Sequence, residues 1–191
     1  MRTWTGRVFI GISLDGFIAR PDGDIDWLEG ASMTGDHAPG DPDLPDDHGY
    51  AAHMASVDHL VMGRGTYEKV LTFGGWPFPD HRVVVISSTL ESDDDRITIV
   101  RSVDAAVRLL DERGARGVYV DGGRTIQAFL REGLIDELVI TRLPVLIGEG
   151  LPLFGPLPHD IHLIHEGTVS TGGSGFVQSR YRVRRDPVNR S

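Results

Sequence analysis

No cysteine occurs among the 191 residues. Disulfides, thiolate metal sites and a cysteine nucleophile are thereby excluded, and a cytoplasmic setting is the expectation. Lysine is nearly absent too: Lys69 is the only one, and every other basic side chain is arginine. Basic residues number 19 against 28 acidic ones, for a formal charge of −9. A general nucleic-acid binder needs a basic face to neutralise phosphates and is disfavoured; a local basic site for a phosphorylated ligand is not. No apolar run reaches the ~18–20 residues of a membrane span. The opening MRTWTGRVFIGISLDG lacks the apolar core and small-residue cleavage site of a signal peptide, so neither a membrane nor export is expected. Both common phosphate-loop signatures, GxGxxG and GxxxxGK[ST], are missing as well.

What is present reads as one domain spanning 1–191, with no internal repeat. RVFIGI (7–12), rich in β-branched residues, HLVMG (59–63), RVVVISS (82–88), RITIV (96–100), GVYVD (117–121) and ELVITRLPVL (137–146) are strand-like runs. Helices are expected over 46–57, with Asp46 or Asp47 as N-cap, and over 64–74, 102–115 with Ser102 as N-cap, and 124–133. Residues 13–28 read as loop, and 31–47 as a surface loop. From residue 160 two strands flank a Gly-rich turn, the second of which, FVQSRYRV, alternates as a half-exposed antiparallel edge would. Strands alternating with helices imply right-handed βαβ units and a largely parallel sheet.

Ligands of open α/β sheets bind beyond the carboxyl ends of strands. Three such ends attract attention. MGRGT (62–66) puts a tight glycine turn before Arg64 and Thr66. ISS (86–88) ends a strand in two hydroxyls. VYVDGGRTIQAFL (118–130) drops two glycines between strand and helix, then starts the helix with Arg124 and Thr125. Glycine lets a phosphate approach backbone, and a helix start favours an anion; the plainer reading of Gly122-Gly123 is a tight connection.

The segments SLDGFIARPDGDIDWL, VDHLVMGRGTYE, FGGWPFP, VVVIS and VYVDGGRTIQAFLREGLIDELVITRLPVLIGEGLPLF resemble, in order, the dihydrofolate reductase-like superfamily. The nearest branch is the reductase domain of the riboflavin-biosynthesis deaminase-reductase and its standalone relatives. The resemblance spans about Val8 to Arg182. It implies a three-layer α/β fold with a mostly parallel mixed sheet, antiparallel C-terminal strands and helices on both faces. It also implies NADPH as hydride donor to a small heterocyclic or carbonyl/imine substrate, in the manner of a 5-amino-6-(5-phosphoribosylamino)uracil reductase. Carried over by position, Gly63, Arg64 and Thr66 match the segment around the adenosine 2′-phosphate and pyrophosphate, and Ser87 and Ser88 the strand end beside the ribose phosphate. Gly122, Gly123, Arg124 and Thr125 match the pyrophosphate turn, and Ile18 and Ala19 the loop near nicotinamide. Ser13, Asp15 and Trp27 match the loop edging the substrate pocket, with Asp15 the first choice for a catalytic carboxylate; in LDG it is also an ordinary turn residue. A homodimer through the antiparallel C-terminal edge follows from the same resemblance.

Two departures narrow the reading. Folate reduction needs an acid on the first helix, for which Asp46, Asp47 and Asp58 are candidates, none in register. No H-x-E…P-C-x-x-C zinc deaminase pattern exists. Dihydrofolate reductase and a non-catalytic nucleotide-binding protein are the alternatives. Asp24, Asp26 and Glu149 read as solvated, Tyr67 as core, and the His159, His162, His165 series as no metal site.

Overall fold

The computed structural model describes residues 2–30, 47–170 and 174–185. An eight-stranded sheet runs through the molecule in the order β5-β4-β3-β6-β1-β7-β10-β9. Its parallel part comprises β1 (Thr5–Ser13), β3 (His59–Gly63), β4 (Arg82–Ile86), β5 (Ile97–Val100), β6 (Gly117–Asp121) and β7 (Glu137–Leu143). β10 (Val177–Val183) joins antiparallel between β7 and β9 (Leu163–Ser170). The mixed α/β architecture is thus the expected one.

Each face of the sheet has its own apolar layer. On one, Val8 and Ile12 of β1, Val61, Val84, Val118, Val120 and Leu138 meet Ala106 and Leu110 of α4 (Val103–Glu112) and Ile126, Phe129 and Leu130 of α5 (Gly123–Arg131). On the other, Leu60, Met62, Val83, Val85 and Tyr119 meet Tyr67 and Val70 of α3 (Arg64–Val70), with Met54 of α2 (Tyr50–Ala55) packed alongside. The central strands β3 and β4 are apolar on both faces because helices cover both, which is why they read as unbroken runs. A third cluster joins Trp27 of α1 (Asp26–Gly30) to Leu143 and Phe176.

Several expected boundaries shift, for local reasons. Ser102 caps α4 as anticipated, its hydroxyl accepting from Ala105 N at 3.1 Å. α3 ends at Val70, short of residue 74, where Gly74 takes φ +74°. α2 begins only at Tyr50; Asp47 still serves its start, accepting from Gly49 N at 2.9 Å and Ala51 N at 2.7 Å. β7 stops before Pro144, which has no N–H to donate. The strand over 177–183 is not the edge: β9 is, and nearly all of its side chains are exposed. Within the segment read as loop, Phe17–Ala19 forms β2, pairing antiparallel with β8 (Leu151–Pro152). Strands this short carry no period, and only the distant partner makes them strands. The expected loop over 31–47 falls outside the described residues except for Asp47.

Candidate functional site

The carboxyl ends of β3, β4 and β6 lie side by side, and their following turns interlock. A methyl group on Gly122, where φ is +87°, would overlap the Thr66 hydroxyl of α3. One on Gly63 would lie 3.1 Å from the Thr125 hydroxyl of α5. One on Gly123 would meet Pro152 O of β8 at 2.8 Å and Ile18 Cδ1 of β2 at 3.1 Å. Ile18, Gly63, Thr66, Gly122, Gly123 and Thr125, remote in sequence, are therefore immediate neighbours. The missing Cβ atoms are accounted for first by the protein's own packing, which brings α3, α5 and β8 onto one turn.

Around this knot, Arg64, Ser88 and Arg124 are exposed. Arg64 bridges two of the strand ends: its Nε donates to Glu68 Oε1 at 2.6 Å and its Nη1 to Thr89 Oγ1 at 3.2 Å. Ser87 is buried, its hydroxyl accepting from Thr89 N and Leu90 N, so it shapes the turn that presents Ser88. Arg101 fastens the same turn from below through the carbonyls of Ser87 and Leu90. Tyr67, a core residue as expected, also donates its hydroxyl to Asp94 Oδ2 at 2.8 Å, and Arg96 holds that carboxylate well below the usual range.

The three residues expected at the substrate loop sit differently from one another. The Ser13 hydroxyl is buried; it donates to Asp15 Oδ1 at 2.6 Å and accepts from Phe17 N at 3.0 Å. Asp15 also accepts from Gly148 N at 2.8 Å and Ile147 N at 3.3 Å, so its carboxylate clasps two loops together. The Ser13 hydroxyl, foremost, and these backbone donors lower its pKa. Trp27 is buried in its cluster, and its indole N–H has no partner among the described residues. Ala19 is buried and pairs with Leu151.

A carboxylate that the sequence reading passed over lies closer to the centre. Asp121 ends β6 directly before Gly122-Gly123. Strand alternation turns it to the face of Tyr119, under α2, and away from Val118 and Val120. Its Oδ1 accepts from Gly122 N at 2.7 Å, and Oδ2 has no bond among the described residues. Burial pushes its pKa up to about 6, the Gly122 N–H opposing only weakly. Beside it stands an aromatic wall. Phe9 meets Tyr50 edge-on at 5.7 Å and His53 at 5.0 Å, and His53 meets Tyr119 at 4.7 Å. His53 is pushed down to about 4, first by burial and then by Arg7 and Arg180, so at neutral pH this wall is uncharged. The signal for Asp121 was its place next to the two glycines; that for Tyr50 and His53 was invisible without the docking of α2.

Of the acids considered for folate reduction, Asp46 lies outside the described residues, and neither Asp47 nor Asp58 lies at the knot. α2 (YAAHMA) has no carboxylate. Asp47 is spent on the start of α2, and Asp58, which binds His59 Nδ1 and Arg116, sits at the amino end of β3, across the sheet from the knot. No group of metal-ligating side chains is present among the described residues either, and no described helix is long and apolar enough to cross a membrane.

The mostly parallel mixed sheet with antiparallel C-terminal strands is the α/β fold shared by the class of riboflavin-biosynthesis and dihydrofolate reductase-like proteins. Within that class the chain belongs to the RibD C-terminal domain family, whose model matches residues 5–175. It is 37% identical to a Shewanella sp. PV-4 protein assigned to riboflavin biosynthesis, whose crystal structure superposes with a TM-score of 0.79, covering 95% of this chain and 99% of that one. It is 35% identical over 179 residues to the uncharacterized protein YwjB of Bacillus subtilis (strain 168), covering 91% of this chain and 95% of that protein. The diaminohydroxyphosphoribosylaminopyrimidine deaminase/5-amino-6-(5-phosphoribosylamino)uracil reductase of Thermotoga maritima shares the fold at 15% identity and a TM-score of 0.63, this chain matching 57% of its length. A riboflavin-pathway reductase-like role is what these relationships support.

Proposed function

We propose that the chain is an NADPH-dependent reductase acting on a small heterocyclic or carbonyl/imine substrate, such as a riboflavin-pathway pyrimidine. The observation that carries this reading is the placement of Asp121, a carboxylate with a free oxygen and a pKa of about 6, immediately before the turn where three strand ends interlock. The exposed Arg64, Ser88 and Arg124 fit the phosphate groups of a dinucleotide, and the first N–H groups of α5 have no intrahelical partner. When bound, the reduced nicotinamide supplies the hydride.

The chain's own task is to hold the substrate, exclude water and manage a proton. Tyr50, exposed, and Phe9, set edge-on to it, offer an apolar wall for a planar ring, with Tyr119 buried behind them. Asp121 exchanges a proton near neutrality, so its Oδ2 is the group we assign to donating a proton to the reduced centre or accepting a ring N–H. Ser13 and Asp15 serve from behind, clasping the turn after β1 to residues 147–148, and Trp27 packs beneath them. Ile18 and Ala19 place β2 against the Gly122-Gly123 turn. A folate substrate is disfavoured because no described carboxylate lies on α2.

A homodimer belongs to the same reading, with β9, an edge strand exposed on both faces, as its contact, and a cytoplasmic setting accords with a chain free of cysteine. Titration of the protein with NADPH and with NADH by calorimetry is the direct test. Binding of NADPH, followed by its oxidation with flavin precursors, pteridines or small carbonyls, is expected; failure of both dinucleotides to bind rejects the reductase reading and leaves a ligand-binding protein that keeps the fold.

A further inference from the structure

We propose that Glu68 sets how strongly this chain prefers a dinucleotide bearing a 2′-phosphate over one that lacks it. The inference rests on the dinucleotide reading above and on what surrounds Arg64. Arg64 and Glu68 lie one helical turn apart on α3, about half exposed, joined at 2.6 Å. A second donor of the same guanidinium reaches Thr89 across the cleft between the ends of β3 and β4. Two of five N–H donors are thus occupied, and three remain for a ligand.

The other cations beside the turns after β3 and β4 are already engaged, and Arg124, exposed, belongs to the turn after β6. Lys69 pairs with Asp24 at 3.5 Å, and Arg101 donates to two backbone carbonyls. A phosphate monoester, with about −1.5 to −2 charge at pH 7, would therefore share the Arg64 guanidinium with the carboxylate paired to it. Two anions on opposite edges of a guanidinium stand roughly 6 Å apart. In a water-like dielectric their repulsion amounts to about a tenfold loss of affinity, reduced to a few-fold by physiological salt. A 2′-hydroxyl carries no charge and escapes this. Glu68 also fixes the guanidinium in place, which favours binding of either anion source; a glutamine at that position keeps the acceptor and removes the charge, separating the two effects.

The test uses calorimetry with adenosine 2′,5′-bisphosphate and adenosine 5′-monophosphate as probes, on the wild-type chain, Glu68→Gln and Arg64→Ala. Glu68→Gln is expected to tighten the bisphosphate about three- to tenfold at low ionic strength, with the gain shrinking as salt is raised, while the monophosphate stays within about twofold. Arg64→Ala is expected to erase the difference between the two probes. Unchanged or weaker bisphosphate binding by Glu68→Gln overturns the inference and makes Glu68 a support for Arg64. Equal binding of both probes by the wild-type chain, unaltered in Arg64→Ala, also overturns it, while leaving hydride transfer from either dinucleotide intact. Failure of NADPH and NADH themselves to bind overturns the reductase reading along with it.

Discussion

Two aspartates, Asp15 and Asp121, lie at the carboxyl ends of the neighbouring strands β1 and β6 with opposite electrostatics. Asp15 accepts three hydrogen bonds and is held ionised; Asp121 accepts one, is partly buried, and is pushed toward the neutral form. Hydrogen bonds to the charged form lower a carboxyl pKa and desolvation raises it, so the two carry different duties. Asp121→Asn is expected to lower turnover about a hundredfold or more, with NADPH affinity retained and the pH–rate limb near 6 removed. A pH profile that keeps its limb would assign the proton elsewhere. Asp15→Asn replaces one acceptor oxygen with an amide that cannot accept from Gly148 N–H and Ile147 N–H together with the Ser13 hydroxyl. Hydrogen exchange is expected to rise over residues 145–150, with substrate KM raised and dinucleotide affinity nearly unchanged; unaltered exchange would deny the clasp.

At the scale of elements, the turn from β6 into α5 is where three pieces of chain meet, and its geometry leaves no room for a side chain. Gly122 has φ +87° and lies against the Thr66 hydroxyl. Alanine there combines an unfavourable left-handed backbone with a clash, so Gly122→Ala is expected to destabilise by about 2 kcal/mol or more. Because α3 would be pushed away from α5, the double variant Gly122→Ala/Thr66→Ala should recover part of that loss in denaturant melts. Full additivity of the two substitutions would show that Thr66 is not the obstacle. The helix and strand spans were mostly legible in sequence: Ser102 announces α4, and short apolar runs announce β3, β4 and β6. The β2–β8 pair and the edge position of β9 were not, because pairing between Phe17–Ala19 and Leu151–Pro152 bridges more than a hundred residues of chain.

For the molecule as a whole, two buried groups act on acid stability with opposite signs. His53 has a folded pKa of about 4 against an ordinary 6.5, so the unfolded chain takes up its proton first and stability falls as pH drops from about 6.5 to 4. Asp121 has a folded pKa of about 6 against an ordinary 3.8, so the folded chain takes up its proton first and stability rises as pH drops from about 6 to 4. Each amounts to about 3 kcal/mol, and they nearly cancel. Wild-type stability is therefore expected to be almost flat between pH 6.5 and 4. Asp121→Asn should expose the His53 loss and make stability fall across that window, measured by urea melts. Below pH 4 the lowered carboxyls, Asp94 foremost with Asp58 and Asp15, contribute stability that is lost as they protonate. Sedimentation velocity addresses assembly at the same scale, with a dimer expected if β9 is an interface.

The sequence by itself determined the class of fold, because apolar periodicity and caps are local properties: alternating strand and helix runs, two glycines at a strand end, and the order of matching segments. It also singled out Gly63, Thr66, Gly122, Gly123 and Thr125, which the fold packs against one another. The tertiary structure alone decided what those residues touch. It set Thr66 against Gly122, spent the Ser87 hydroxyl on its own turn, drew Asp15 into a clasp with Gly148, and buried Trp27. It also singled out Asp121, since a carboxylate's proton affinity depends on how much water its neighbours exclude, and those neighbours, Tyr50, His53 and Phe9, arrive from other parts of the chain.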